Sequence, residues 1–151
     1  MPRRPTDAEL ATWEAFQRYQ RSVVERLDAE LRAETDLTLD EYDVLHQLRV
    51  APDRRLRMGE LAELVVITRS SCSRLVDRLA KRGLVARERD EADRRVVWAH
   101  LTDEGRKRHR RAAPVHLRGI ARWFAEPLDA PALDGIDRAL RCWSEEAAPI
   151  R

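Results

Sequence analysis

Apolar residues return every three or four positions across residues 6–34, where Leu10, Trp13, Phe16, Val23, Val24, Leu27 and Leu31 share one stripe. That is the period of a helix with one buried side. Thr6 is placed to cap its start, and Asp7 and Glu9 follow in the first turn, where negative charge suits the helix dipole. A second helix is predicted from Thr38 or Asp40. It turns Tyr42, Leu45 and Leu48 inward and ends at Ala51-Pro52-Asp53. Arg57 to Leu64 reads as a short helix with Met58, Leu61, Ala62 and Leu64 facing in. Val65-Val66-Ile67-Thr68 then forms a turn. Residues 69–82 make the next helix, burying Leu75, Val76 and Leu79, with Gly83 at the left-handed C-cap that glycine favours.

The period then drops to two. Leu84–Arg89 and Val96–Leu101 read as strands, joined by a loop, Asp90 to Arg95, too charged to pack. Thr102 caps a further helix whose apolar side takes Ala113, Leu117, Ile120, Ala121 and Phe124. Pro114 falls inside it and is expected to kink it, at a cost of about 3 kcal/mol if unrelieved. Pro127 and Pro131 bracket a loop before a last helix, about 131–147, with Leu133, Ile136, Leu140 and Trp143 on one face. The predicted fold class is mainly α with a small β-wing: a winged helix-turn-helix lobe plus a helical lobe.

At 151 residues the chain suits one compact domain, 1–151. No apolar run approaches the roughly 18 residues of a membrane span, and MPRRPTDAEL carries no apolar run behind its arginines, so a cytoplasmic protein is expected. Cys72 and Cys142 form no C-x-x-C pair. The net charge of +2 hides an asymmetry: residues 54–111 hold 17 Lys+Arg against 9 Asp+Glu, and the remainder holds 12 against 18. A basic middle between acidic ends fits a chain whose middle alone meets phosphates. No Ser-His-Asp or Cys-His grouping, Gly-rich phosphate loop or paired-carboxylate motif is present, so an enzyme is not expected.

Three stretches carry a family resemblance: LTLDEYDVLHQLRVAPDRRLRMGELAELV, TRSSCSRLVDRLAKRGLVARERD and DEADRRVVWAHLTDEG. The D-x-x-D-R-R tip, with L-T-x-x-G beginning seven residues after Arg94, is the most specific part. Over about residues 6–147 the chain resembles the MarR family of transcription regulators. The resemblance implies a triangular winged-helix dimer, with 6–34 and 103–147 as the dimerisation region and 38–102 as the DNA-binding lobe. Such a dimer represses or, less often, activates promoters, and is often released by small phenolic or other aromatic ligands or by thiol oxidation. Glu91, where many relatives have Pro, and the bulky Trp98 depart from the pattern.

Within helix 69–82 the early positions Arg69, Ser70, Ser71, Ser73 and Arg74 are expected to reach duplex DNA, since the N-terminal part of a recognition helix meets base edges in the major groove. Arg78 and Lys81 suit phosphates or salt bridges. Either Arg94 or Arg95 fits the narrow minor groove, whose negative potential attracts arginine. The resemblance implies that Asp93 braces that tip through a salt bridge. Arg54, Arg55, Arg57, Arg87 and Arg89 are candidate backbone contacts. Two copies would face half-sites about 10 bp apart, so the expected partner is a pseudo-palindromic operator.

The family's effector pocket lies between the lobes, and Trp13, Phe16, Asp43, His46 and His116 are candidates to hold a small aromatic acid or phenol. Trp13 and Phe16 equally suit a core. Alternatives are a redox-sensing repressor acting through Cys72, with Arg69 and Arg74 lowering its pKa, or a winged-helix protein-interaction module. His109 and His116 lie seven apart, a spacing that suits a metal poorly, and no metal or cofactor is expected.

Overall fold

The computed structural model describes residues 3–146, with side chains as far as Cys142. Helix α1 spans Asp7–Thr35 and α2 spans Leu39–Val50. Both begin with a capping box: Thr6 with Glu9, and Thr38 with Glu41. A 3-10 turn, Pro52–Arg54, leads into strand β1, Arg55–Arg57. Helix α3 (Met58–Leu64) and α4 (Arg69–Lys81) follow, joined by a turn in which Val66 takes a left-handed conformation at φ 55°. Gly83 closes α4 at φ 70°, the region where a glycine carries no Cβ penalty.

Strands β2 (Val85–Arg89) and β3 (Val97–Leu101) form the wing hairpin. β3 is central in an antiparallel sheet of order β1-β3-β2, so the sheet has three strands, not the two expected. The added strand pairs Arg55, Leu56 and Arg57 with His100, Ala99 and Trp98. Helix α5 (Asp103–Ile120) starts at Thr102, whose hydroxyl accepts the Gly105 N–H at 3.0 Å and points at the carbonyls of Gly83 and Leu84. The L-T-x-x-G motif is thus a helix cap pinned to the start of β2. After α5 a π-helical turn, Ala121–Ala125, leads towards α6, Ala130–Glu146.

Leu31, Leu37, Leu45, Leu48, Leu61, Val76 and Leu79 are fully buried and join α1 to α4 in one core. Around it, Arg82 pairs with buried Glu41 at 3.0 Å and with Asp36, which also takes Arg108 at 2.6 Å. Those bonds tie the end of α4 to α2 and α5.

Several expected faces differ. Leu64 is half exposed, while Leu61 and Ala62 carry the buried side of α3. α5 buries Gly105, His109, Ala112, Val115 and Gly119 against its own chain, leaving Leu117 63% exposed on a second apolar side. α5 runs as one helix through Pro114. Pro131 sits in the first turn of α6, where its missing N–H costs little. Leu133 and Ile136 are partly buried and Leu140 is exposed, while the Trp143 side chain and residue 147 lie outside the described residues.

Candidate nucleic-acid interface

Helix α4 opens without an acidic residue in its first turn, so nothing offsets its positive end. Thr68 caps it by accepting the Ser71 N–H at 3.2 Å, and the Thr68 hydroxyl lies 3.0 Å from that of Ser71. Arg74 Nη2 donates to the same Ser71 oxygen at 3.3 Å. Ser71 therefore orders the helix start and orients Arg74. Arg69, Ser70, Arg74 and Arg78 are exposed, and Ser73 is partly buried towards β2. Arg87, a candidate backbone contact, is instead ion-paired to Asp77 and reaches Ser73, so it locks the wing strand to α4.

The wing tip is held by its backbone. Asp90 N–H donates to the Val96 carbonyl at 3.0 Å, and Val96 N–H to the Asp93 carbonyl at 2.9 Å. Asp90 Oδ1 accepts the N–H groups of Ala92 and Asp93, and Oδ2 accepts Trp98 Nε1 at 2.9 Å. The indole, then the Asp93 and Ala92 N–H groups, hold the Asp90 carboxyl below its usual range. Asp93 Oδ1 accepts the Arg95 N–H at 3.0 Å; among the described residues it makes no ion pair with either tip arginine. The expected salt bridge is thus replaced by a backbone bond, and Asp90, missed in the sequence, makes more of the bracing contacts. Its D-x-x-D spacing is the signal that could have found it. Arg94 and Arg95 are exposed at the tip. Between α3, the start of α4 and the wing lies an open groove of about 490 Å³ that gathers Arg57, Arg69, Arg87 and Arg95 with Ser73 and Glu60.

The expected effector wall does not assemble within one chain. Trp13 and Phe16 are more than half exposed and stacked on each other at 6.0 Å in the first half of α1. His46 and His116 belong instead to a seam between α2 and α5, and Asp43 lies partly buried on α2. There Tyr42 stacks on His109 at 5.0 Å and lies 4.4 Å from His116, and His46 Nδ1 is 3.2 Å from His109 Nε2. Burial, then Arg49 and the neighbouring imidazoles, push His109 down to about 4. Burial also lowers His46 and His116. Burial, then Asp40, raises Asp43 to about 6. Beside this seam a cavity of about 530 Å³ is flanked by Arg49, Arg54, Arg106 and Arg110, with Pro114 and Leu117 on its apolar side.

These shifts fix a pH dependence. A histidine that stays neutral in the fold but protonates when unfolded stabilises above its unfolded pKa and loses that stabilisation as pH falls. Between pH 7.5 and 5, His109 is expected to lose about 2 kcal/mol, with His46 and His116 adding in the same direction. Asp43 acts oppositely: its raised pKa disfavours the fold as pH rises through about 6, so acidification restores about 1 kcal/mol. Urea unfolding should show lower stability at pH 5, and Asp43→Asn should steepen the loss. An unchanged slope in that variant would contradict the assignment.

Cys72 is fully buried among Leu75, Val76 and Leu79, and burial raises its pKa more than Arg87 lowers it. Arg69 and Arg74, expected to activate it, do not. The redox alternative lacks the exposed thiolate it requires. In a thiol titration of native protein, Cys72 should react only after urea is added.

The MarR-family profile matches residues 35–96. The HTH-type transcriptional regulator YkoM of Bacillus subtilis (strain 168) is 31% identical over 85 residues, 56% of this chain and 54% of that protein, so the match spans about half of that relative. Two solved structures from Streptomyces coelicolor follow the chain almost end to end. AbsC, a MarR family transcriptional regulator, has a TM-score of 0.85 at 31% identity and covers 95% of this chain and 97% of its own. Sco3205, a MarR family transcriptional regulator crystallised in complex with DNA, has a TM-score of 0.90 at 33% identity, covering 99% of this chain and 94% of its own. With its capped wing, paired helices and near full-length likeness to these regulators, the chain belongs to the MarR family of winged-helix transcriptional regulators.

Proposed function

We propose that the chain is a dimeric, sequence-specific DNA-binding regulator acting in the cytoplasm as a repressor, without catalysis of its own. The observation that carries this reading is the convergence of Arg57, Arg69 and Arg95 on one groove between α3, α4 and the wing. In this reading 38–102 is the DNA-binding lobe. Arg69, Ser70 and Arg74 meet base edges, Ser71 orders the helix start, Ser73 holds Arg87 of the wing strand, and Arg57 and Arg78 meet phosphates. One of Arg94 and Arg95 takes the minor groove and the other contacts the backbone beside it, with Asp93 and Asp90 shaping their loop. The DNA-bound state of Sco3205 supports it. Selection from a random duplex library with the purified protein tests it: a pseudo-palindromic sequence, bound by two protomers and weakening steeply with salt, is expected. No enrichment over the starting library would refute the reading.

The two-protomer claim rests on apolar surface that one chain leaves open: Leu10, Trp13 and Phe16 on α1, Leu117 on α5 and Leu140 on α6. A second copy packed through residues 6–34 and 103–147 would cover it. Leu117→Glu with Leu140→Glu is expected to sediment as a monomer and to bind DNA at least about a hundredfold more weakly, since the two half-sites are no longer linked.

The effector site, in this reading, is the cavity between α2 and α5. His109 lines it, with His46 one hydrogen bond behind, His116 in the adjoining seam and Asp43 on α2. Its arginines suit an aromatic acid better than a neutral phenol. Trp13 and Phe16 would reach such a site only from a partner chain. Release follows if the bound acid favours a dimer whose recognition helices no longer match the half-site spacing.

A further inference from the structure

None of the contacts proposed above asks for an indole at position 98. Trp98 stands at the centre of the sheet, opposite Arg57 of β1 on one side and Glu88 of β2 on the other. Its ring lies beneath two guanidinium groups, Arg55 at 4.7 Å and Arg57 at 5.2 Å. A π-face attracts cations, so the indole draws two like charges to one ring. The far edge of the ring does something different. Nε1 donates to Asp90 Oδ2 at 2.9 Å, and the other oxygen of that carboxylate binds the backbone of Ala92 and Asp93 at the base of the tip. Trp98 is partly buried, so both contacts form at the margin of solvent, where they are screened less than on open surface.

One side chain therefore touches both the wing loop and the arginines just ahead of α3. We propose that Trp98 is a positioning residue that couples the wing to the helix-turn-helix, so that the tip arginines and the Arg55–Arg57 pair meet DNA already set relative to each other. This rests on the DNA-binding reading. The advantage is entropic. A loop ordered before binding does not lose that freedom on the duplex. Without the link the same charges still reach the same phosphates, but each complex must first order the loop.

The distinction is measurable. Trp98→Phe keeps the ring and deletes the Nε1 donor. Asp90→Asn, read with the amide nitrogen turned to the indole, breaks the same link from the other side and leaves Trp98 in place. Each is measured on the duplex enriched by selection, with circular dichroism and thermal melting as controls for folding. Each is expected to bind about tenfold more weakly, with the slope of affinity against salt unchanged, because no charge contacting phosphate has been removed. Hydroxyl-radical protection of the flanking minor groove should fade while that of the major-groove half-site persists. In an Arg94→Ala, Arg95→Ala background the loss from Trp98→Phe should vanish, because the link then positions nothing. Trp98→Leu, which also removes the face under Arg55 and Arg57, should lose more than Trp98→Phe.

Wild-type affinity in both Trp98→Phe and Asp90→Asn would overturn the proposal. A loss that persists undiminished without the tip arginines would overturn it as well, by showing a general effect on the sheet. If the wild-type protein enriches no duplex, the DNA-binding reading fails first and the coupling with it. If the wild type binds and both variants bind as tightly as it does, the coupling alone fails.

Discussion

Gly105→Ala is expected to be the most destabilising single change, lowering stability by about 3–5 kcal/mol in urea unfolding. An added Cβ would stand 2.0 Å from the Leu84 carbonyl oxygen and 2.8 Å from Leu101 Cδ1. The first of these is backbone, and it is not free to move. The same carbonyl accepts the Thr102 N–H at 3.3 Å and lies 3.0 Å from the Thr102 hydroxyl that caps α5. Shifting it breaks the cap and parts α5 from β2. A domain with total stability of about 5–15 kcal/mol has little margin for that. Gly119→Ala is the internal comparison. Its neighbours, Leu27 Cδ2 at 2.6 Å and Glu30 Oε2 at 3.0 Å, are side-chain ends rather than backbone, and they give way more readily than the Leu84 carbonyl, so a smaller loss of about 1–3 kcal/mol is expected. Gly135, inside α6 with nothing within 4 Å, should gain about 0.5–1 kcal/mol as Ala. If all three behave alike, helix propensity rather than close approach controls these sites.

What the sequence made legible was local. Thr6, Thr38, Thr102 and Gly83 sit where caps were expected, because a cap is decided within four residues. The helix-turn-helix and wing hairpin follow from periods of 3.6 and 2 over short windows. β1 escaped because Arg-Leu-Arg carries no pattern, and its partner β3 begins forty residues further on, at Val97. α5 carries apolar residues on two sides, and the sequence does not say which side meets its own chain. Of the expected side, Ala113, Ile120 and Phe124 are partly buried while Leu117 is exposed, and His109 and Gly119 face inward. The histidine seam was half visible. His109 and His116 lie two turns apart, and Tyr42 and His46 one turn apart, but their meeting depends on how α2 crosses α5. At the wing, the resemblance pointed to Asp93, and the hydrogen bonds add Asp90 and Trp98.

Arg94→Ala combined with Arg95→Ala is expected to give the largest loss of DNA affinity that leaves the fold intact. Both side chains are exposed at the tip and make no ion pair among the described residues, so removing them should leave urea stability within about 0.5 kcal/mol of wild type. On DNA the effect is doubled by the dimer. Four guanidinium groups leave the complex. Each phosphate neutralised contributes about 0.9 to the salt slope, so the slope should flatten by up to about 3.6 if all four meet phosphates, and by about 1.8 if one of each pair does. Affinity at moderate salt should fall by about a hundredfold or more. The single variants then separate two roles that the exposed tip does not. The arginine inserted in the minor groove should carry most of the loss and of the preference for A·T-rich flanks. Its neighbour should cost less and act evenly across flanking sequences. An Arg94→Ala, Arg95→Ala protein that folds, dimerises and binds with the wild-type slope would remove the wing from the interface and leave recognition to α4 alone.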